Sequence, residues 1–200
     1  MTLERDAQLM LRVKEGDEAS FAELLERYRG PVMHFIYRMV QNQHVAEELA
    51  QDVFIRVYNA RKRYEPSAKF TTWLFRIATH IALNAIRDTR NERGQESVND
   101  EESSALDLAD SRPSVEQELL ERARLAEIRR AVQALPAKQR AAVLMHKYQE
   151  MDYGQIAAVL EVSESAVKSL LFRAYETLRR RLAHFAASAS AGAGSSLRST

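Results

Sequence analysis

Apolar residues along this chain recur three and four positions apart, and no segment alternates in steps of two with β-branched enrichment. The rhythm predicts helices throughout and an all-α protein. It is clearest over residues 153–182, where Ile156, Ala157 and Leu160 give one short apolar face. Val162 and Ser163 form a turn, and Val167, Leu170, Leu171, Ala174 and Leu178 give a second face. Ser163 suits the N-cap of the second helix, because its hydroxyl accepts from an otherwise unpaired backbone N–H. Two helices across so short a turn form a helix-turn-helix, whose second helix can enter a DNA major groove. Its outward face carries Lys168, Ser169, Phe172, Arg173 and Arg180. An ordinary helical hairpin with a solvated basic face is the competing reading.

Upstream, the pattern predicts a helix from Asp17 to Tyr28, an interruption at Gly30-Pro31, and another helix from Val32 to Val40. A third runs from about His44 to Lys62, with Val45, Leu49, Val53, Val57 and Tyr58 on its buried stripe. A fourth, from about Thr71 to Arg90, turns Trp73, Leu74, Ile77, Ala78, Ile81, Ala82, Ala85 and Ile86 inward. From Thr89 to Ser114 the periodicity fails, and the segment is polar, acidic and without aromatics. Such a stretch buries too little to offset its ordering entropy, which predicts a flexible linker. The last residues are small and polar and read as a disordered tail. The expected organisation is a helical domain at 1–92, a linker at 93–114, a helix-turn-helix domain at 115–185 and a tail at 186–200.

Charge sharpens this division. The net charge is only +1, yet residues 1–93 carry +2, residues 94–118 carry −7 and residues 119–200 carry +6. A basic C-terminal part bearing a helix-turn-helix favours a polyanionic partner. The chain has no cysteine, which excludes disulfides and thiolate metal sites and fits a reducing compartment. Its N-terminus lacks a signal-peptide pattern, and no stretch approaches the roughly 18 apolar residues of a membrane span. A cytoplasmic protein without membrane insertion is expected. The histidines at 34, 44, 80, 146 and 184 lack metal-ligand spacing, and no glycine-rich phosphate loop or nucleophile elbow occurs. No enzyme activity, metal or cofactor is expected.

Two N-terminal surfaces carry candidate chemistry. On the third helix Glu47, Glu48, Gln51, Asp52 and Arg56 face outward with Ile55 among them. A charged row is commonly just a solvated face, but an exposed isoleucine beside acids points to a protein-binding surface. On the fourth helix Thr72, Arg76, Thr79, His80, Leu83, Asn84, Arg87 and Arg90 lie opposite the apolar side. Spaced arginines suit phosphates, and the amide and imidazole suit base edges. The loop before this helix, from Tyr64 to Phe70, is placed to shape a pocket for an unstacked base.

Three segments in this order carry a resemblance: AEELAQDVFIRVY, then FTTWLFRIATHIALNAIRD, then LPAKQRAAVLMHKYQEMDYGQIAAVLEVSESAVKSLLFRAYETLRRRL. Together they resemble the extracytoplasmic-function sigma factors of bacterial RNA polymerase, within the sigma-70 family. The resemblance implies two domains, region 2 and region 4, and two large partners, core RNA polymerase and promoter DNA. Glu48, Gln51, Asp52 and Ile55 match the surface that grips the β′ clamp helices, and the β flap is the other implied polymerase contact. Lys69, Phe70, Thr72, Arg76, Thr79, His80, Leu83, Asn84 and Arg87 match the part that reads and melts the −10 element. Arg140, Ser165, Lys168, Ser169, Phe172 and Arg173 match the −35 contacts, with Lys147 near adjacent phosphates. An anti-sigma factor wedged between the domains is the implied regulator. The acidic linker would thread near the polymerase channels.

Two positions depart from the family. Glu161 stands in the helix-turn-helix turn where glycine is frequent, and a left-handed conformation there costs a non-glycine residue about 1 kcal/mol. His80 stands where asparagine is frequent, so the −10 base preference does not transfer. A stand-alone operator-binding regulator is the alternative function; it has no need of both the Asp52 surface and the basic Thr72–Arg90 face.

Overall fold

The computed structural model describes residues 4–93 and 115–183, with side chains for 4–91 and 121–183. The expected flexible linker and disordered tail fall almost wholly outside the described residues. All regular structure among the described residues is helical: α1 (Arg5–Lys14), α2 (Glu18–Val40), α3 (Gln43–Ala60), α4 (Phe70–Arg93), α5 (Val115–Gln133), α6 (Ala137–Tyr148), α7 (Tyr153–Leu160) and α8 (Glu164–Arg181). A single 3-10 turn, Arg61–Arg63, follows α3.

Local chemistry sets the helix starts. Asp17 accepts from the Ala19 and Ser20 amides at the head of α2. The Ser20 hydroxyl, which donates to the same carboxylate, is the main cause that holds the Asp17 pKa below its ordinary value. Asn42 accepts from Val45 to start α3. Asp152 and Gln155 form a reciprocal capping box on α7.

The expected break at Gly30-Pro31 does not occur, and α2 runs unbroken through both residues. Proline removes one helical hydrogen bond and crowds the preceding turn. Val32, Phe35, Ile36 and Met39 beyond it are nevertheless all buried at 1% exposure or less. Continuing the helix is what keeps these side chains in phase with Leu24 and Tyr28, so packing overrides propensity. The helix α1 has no counterpart in the sequence reading. It is fixed by a polar contact: buried Asp6 accepts from the Tyr28 hydroxyl at 2.5 Å and pairs with Arg27. Burial, reinforced by the Asp6 hydrogen bond, pushes the Tyr28 pKa upward.

Helices α1–α4 make one unit and α5–α8 a second, and their buried apolar residues form one connected core. The junction is α4. Leu74, Phe75, Ala78, Ile81 and Ala82 are buried along it, with Phe75 edge-on to Phe35 at 5.3 Å. Thr72 and Thr79 are buried on a neighbouring stripe of the same helix, and α7 packs against α4. Phe75, absent from the predicted inward stripe, is thus a core residue.

Tyr28→Phe should cost about 1.5–3 kcal/mol, the usual contribution of a hydrogen bond to a charged group. Urea unfolding followed by helical circular dichroism measures this; a change below about 0.5 kcal/mol would mean that Asp6 does not anchor α1.

Candidate nucleic-acid interface

The helix-turn-helix is built as its residues dictate. Ile156, Ala157 and Leu160 of α7 and Val167, Leu171 and Ala174 of α8 are buried against each other and α6, with Leu170 and Leu178 partly covered. The Ser163 hydroxyl caps α8 by accepting from the Ala166 amide at 3.2 Å. Between the helices Glu161 takes φ 54° and ψ 49°, the left-handed conformation that glycine adopts without strain. The departure noted in sequence therefore falls on the one residue of this turn with positive φ.

Ser165, Lys168, Ser169, Phe172 and Arg173 are all exposed on α8, and Phe172 is 69% exposed. A large aromatic left in water between two cations has little to gain in the isolated chain; on DNA its apolar face suits a thymine methyl. Ser169 donates its hydroxyl to the Ser165 carbonyl at 3.0 Å. Lys147 is exposed. Arg140 is not with them. It is 9% exposed, and its guanidinium donates to the carbonyls of Met39, Gln133 (2.5 Å) and Leu135 (3.2 Å). Burial lowers its pKa, although a guanidinium stays cationic. The expectation of an exposed phosphate-holding Arg140 is corrected in this arrangement: the side chain ties α6 to the end of α2.

On α4 the expected −10 residues divide. Arg76, His80, Asn84 and Arg87 are exposed and Leu83 is half-buried. Phe70, Thr72 and Thr79 are buried, which corrects their expected exposure to DNA. Phe70 packs among the rings of Tyr28, Tyr64 and Trp73 because a phenyl at the head of α4 is better kept from water. Thr72 receives a hydrogen bond from Gln155 of α7 at 3.5 Å. Thr79 has no exposure, and its hydroxyl has no partner.

The loop ahead of α4 leaves Glu65, Ser67, Ala68 and Lys69 exposed. It is anchored by Tyr64, whose ring lies 4.9 Å from Trp73 and whose carbonyl accepts from Lys14 at 3.1 Å. Desolvation pushes the Tyr64 pKa up to about 12. Lys14, on the helix that the sequence reading missed, thus braces the proposed base-capturing loop across 50 positions.

A separate face lies on α3. Glu48 and Gln51 are exposed, Asp52 is half-buried and Ile55 is 57% exposed. Asp52 pairs with Arg56 at 3.0 Å one turn on. That pair is open to solvent and is worth little to stability, which leaves the carboxylate free to exchange partners.

The two DNA-type elements meet. Glu161 pairs with Arg76 at 2.5 Å and lies 3.9 Å from His80 Nε2. No sequence pattern announces a contact between residues 85 positions apart.

Comparison with known proteins fits this geometry. The family model for Sigma-70 region 2 matches residues 24–92, and that for Sigma-70 region 4 matches residues 125–178. The chain is 33% identical over 174 residues to RNA polymerase sigma factor CarQ of Myxococcus xanthus, covering 86% of this chain and 95% of the relative. It is 29% identical over 178 residues to the ECF RNA polymerase sigma factor SigW of Bacillus subtilis, covering 86% and 93%. The fold is similar to that of the sigma factor RpoE from Bartonella quintana, solved with the anti-sigma factor NepR. That match has TM-score 0.66 and 22% identity, and covers 81% of this chain and 96% of that one.

The chain belongs to the sigma-70 family, in its extracytoplasmic-function group. It is accordingly a subunit that binds core RNA polymerase and directs promoter recognition and transcription initiation, and the stand-alone operator-binding regulator is not favoured.

Ser163→Ala should destabilise the helix-turn-helix by about 1 kcal/mol, and Ser163→Gly by only a few tenths. Thermal unfolding of the three chains checks the order; equal loss in both variants would show that the hydroxyl does not cap α8.

Proposed function

We propose that residues 1–92 act as region 2 and residues 115–185 as region 4, joined by a linker at 93–114. In this reading Glu48, Gln51, Asp52 and Ile55 grip the β′ clamp helices, and region 4 meets the β flap. An apolar side chain ringed by acids supplies both burial and charge complementarity to a basic partner helix. The polar face of α4, with Arg76, His80, Asn84 and Arg87, follows the −10 strand. Lys69 and the exposed loop before α4 accept an unpaired base. Capture of that base offsets the few kcal/mol of unstacking, so melting needs no chemical energy input. Ser165, Lys168, Ser169, Phe172 and Arg173 read the −35 element from the major groove.

The single observation that supports this reading is that one chain bears three separate exposed faces of the right kinds. They are an acid-and-isoleucine face on α3, an arginine stripe on α4 and a basic, aromatic face on α8. The chain performs no reaction of its own, and catalysis belongs to the polymerase. It acts where polymerase acts, in the cytoplasm; among the described residues no helix is long and apolar enough to cross a membrane. An anti-sigma factor is proposed as its regulator, since NepR holds the structural neighbour RpoE.

Asp52→Ala should weaken core polymerase binding by about tenfold or more, the range for truncating one partner of an interfacial charge pair. Titration of labelled core enzyme measures it, and unchanged affinity would overturn the α3 assignment. Arg173→Ala should lower run-off transcription from a −35-dependent promoter by about 5- to 100-fold while core binding holds. Joint loss of both activities would point instead to misfolding.

A further inference from the structure

A groove of about 250 Å³ lies between the end of α2, α5 and α6. None of its lining residues belongs to the faces assigned above to polymerase or to DNA. Ile128 and Val132 of α5, four residues apart on one stripe, wall it together with buried Leu144 of α6. Leu125 and Tyr148 mark its mouth, where they keep 55% and 50% of their surface exposed. Large apolar side chains left in water around a concave, aliphatic-walled space are the usual surroundings of a small-molecule site.

The polar lining has one sign. Arg38 and Arg129 bring two guanidinium groups, and the other polar residues, Tyr37, His34 and Gln41, bring no carboxylate. The Arg38 guanidinium lies 4.0 Å above the Tyr148 ring, and neither arginine forms an ion pair with a described residue. Tyr37 is buried to 9% exposure, and its hydroxyl has no hydrogen-bond partner among the described residues. Folded proteins rarely leave a buried hydroxyl unpaired, because it has given up water for nothing. A single water would satisfy that hydroxyl, but it would leave the aliphatic walls and the two cations unanswered.

We infer that this groove binds a small aromatic carboxylate as a free solute. The ring packs on Ile128, Val132 and Leu144, and the carboxylate accepts from the Tyr37 hydroxyl and the Arg129 guanidinium beside Arg38. Each part of the ligand answers a part of the lining. An unpaired donor needs an acceptor, a guanidinium fork matches the two oxygens of a carboxylate, and aliphatic walls need an apolar body. Drug-sized sites span roughly 300–1,000 Å³, so the smaller space here suits a single ring. A rigid ring also loses less freedom on binding than an alkyl chain of equal size. The site does not depend on any assignment of promoter contacts.

The test titrates the full chain, labelled with ¹⁵N, with phenylacetate and follows backbone amide shifts. Saturable binding with Kd of about 0.1–1 mM is expected, the range for so few ligand atoms. The shifts should gather at Tyr37, Arg38, Ile128, Val132 and Leu144. Shifts spread instead over the exposed arginines of α4 and α8 would show unspecific anion binding and overturn the site. Phenylacetamide, neutral and of the same shape, should bind at least about tenfold more weakly; equal affinity overturns recognition of the charge. Octanoate, charged but flexible, should also bind more weakly, and tighter binding by it overturns the ring in favour of an alkyl chain. Tyr37→Phe removes only the unpaired hydroxyl, so its melting temperature without phenylacetate should equal or exceed the parent's while phenylacetate affinity falls by about tenfold. Arg129→Met should lower affinity by about three- to tenfold with the fold intact by circular dichroism. Unchanged affinity in both variants overturns the proposal. Dimerisation of the chain through the same amides, seen by sedimentation, would assign the groove to a second copy and likewise overturn it.

Discussion

A guanidinium taken out of water needs acceptors, and Arg140 finds them in three carbonyl oxygens drawn from both helical units. Gln133 and Leu135 belong to the approach to α6, whereas Met39 closes α2. A buried charge without partners would cost several kcal/mol, so the end of α2 and the start of α6 are held in one relation whenever this side chain is buried. The neighbouring contacts of Gln133 and Arg38 follow from that alignment, as does the approach of α7 to α4. The Arg140 Nε is buried without a partner, which makes the strut imperfect and its release less costly than that of a fully satisfied network.

Through this alignment α4 becomes the element on which both halves depend. One side packs into the N-terminal core, and an adjacent stripe lies under the C-terminal unit. The exposed remainder keeps Asn84 and Arg87 in solvent beside the partly paired Arg76 and His80. A helix used in this way joins the two units through two of its own sides. In the proposed reading, a promoter contacted at two points by two small units needs only modest affinity at each, because the second contact is intramolecular once the first is made.

Helical periodicity made most of the fold legible. The helix-turn-helix pattern from Ile156 to Leu178 named six residues that are buried and two, Leu170 and Leu178, that are partly covered, and missed the buried Val159; Ser163 caps where its side chain and position suggest. These features arise from neighbours within a few turns, so a short stretch of sequence contains their cause. The reading failed where the cause lay far away. Gly30-Pro31 looks like a stop, but the helix persists because the residues after it are needed in the core. The α1 helix is short and charged, and its reason to dock is a tyrosine and an arginine more than 20 positions later. Phe70, Thr72, Thr79 and Arg140 are polar or aromatic residues at positions that suit a surface; each is buried by a partner that its own segment does not reveal.

By itself the sequence determined an all-α chain of two helical units, the residues that form each helical face, the charge division between the parts and the family to which the three quoted segments are similar. These rest on side-chain periodicity, capping chemistry and local charge, which act over one or two turns. Only the tertiary structure decided that the turn residue Glu161 meets Arg76, that Arg140 is an internal strut, and that Thr72 and Thr79 are covered. Such pairings join residues 83 to 101 positions apart along the chain. Burial and electrostatic complementarity between whole units select them, and neither property belongs to any single stretch of sequence.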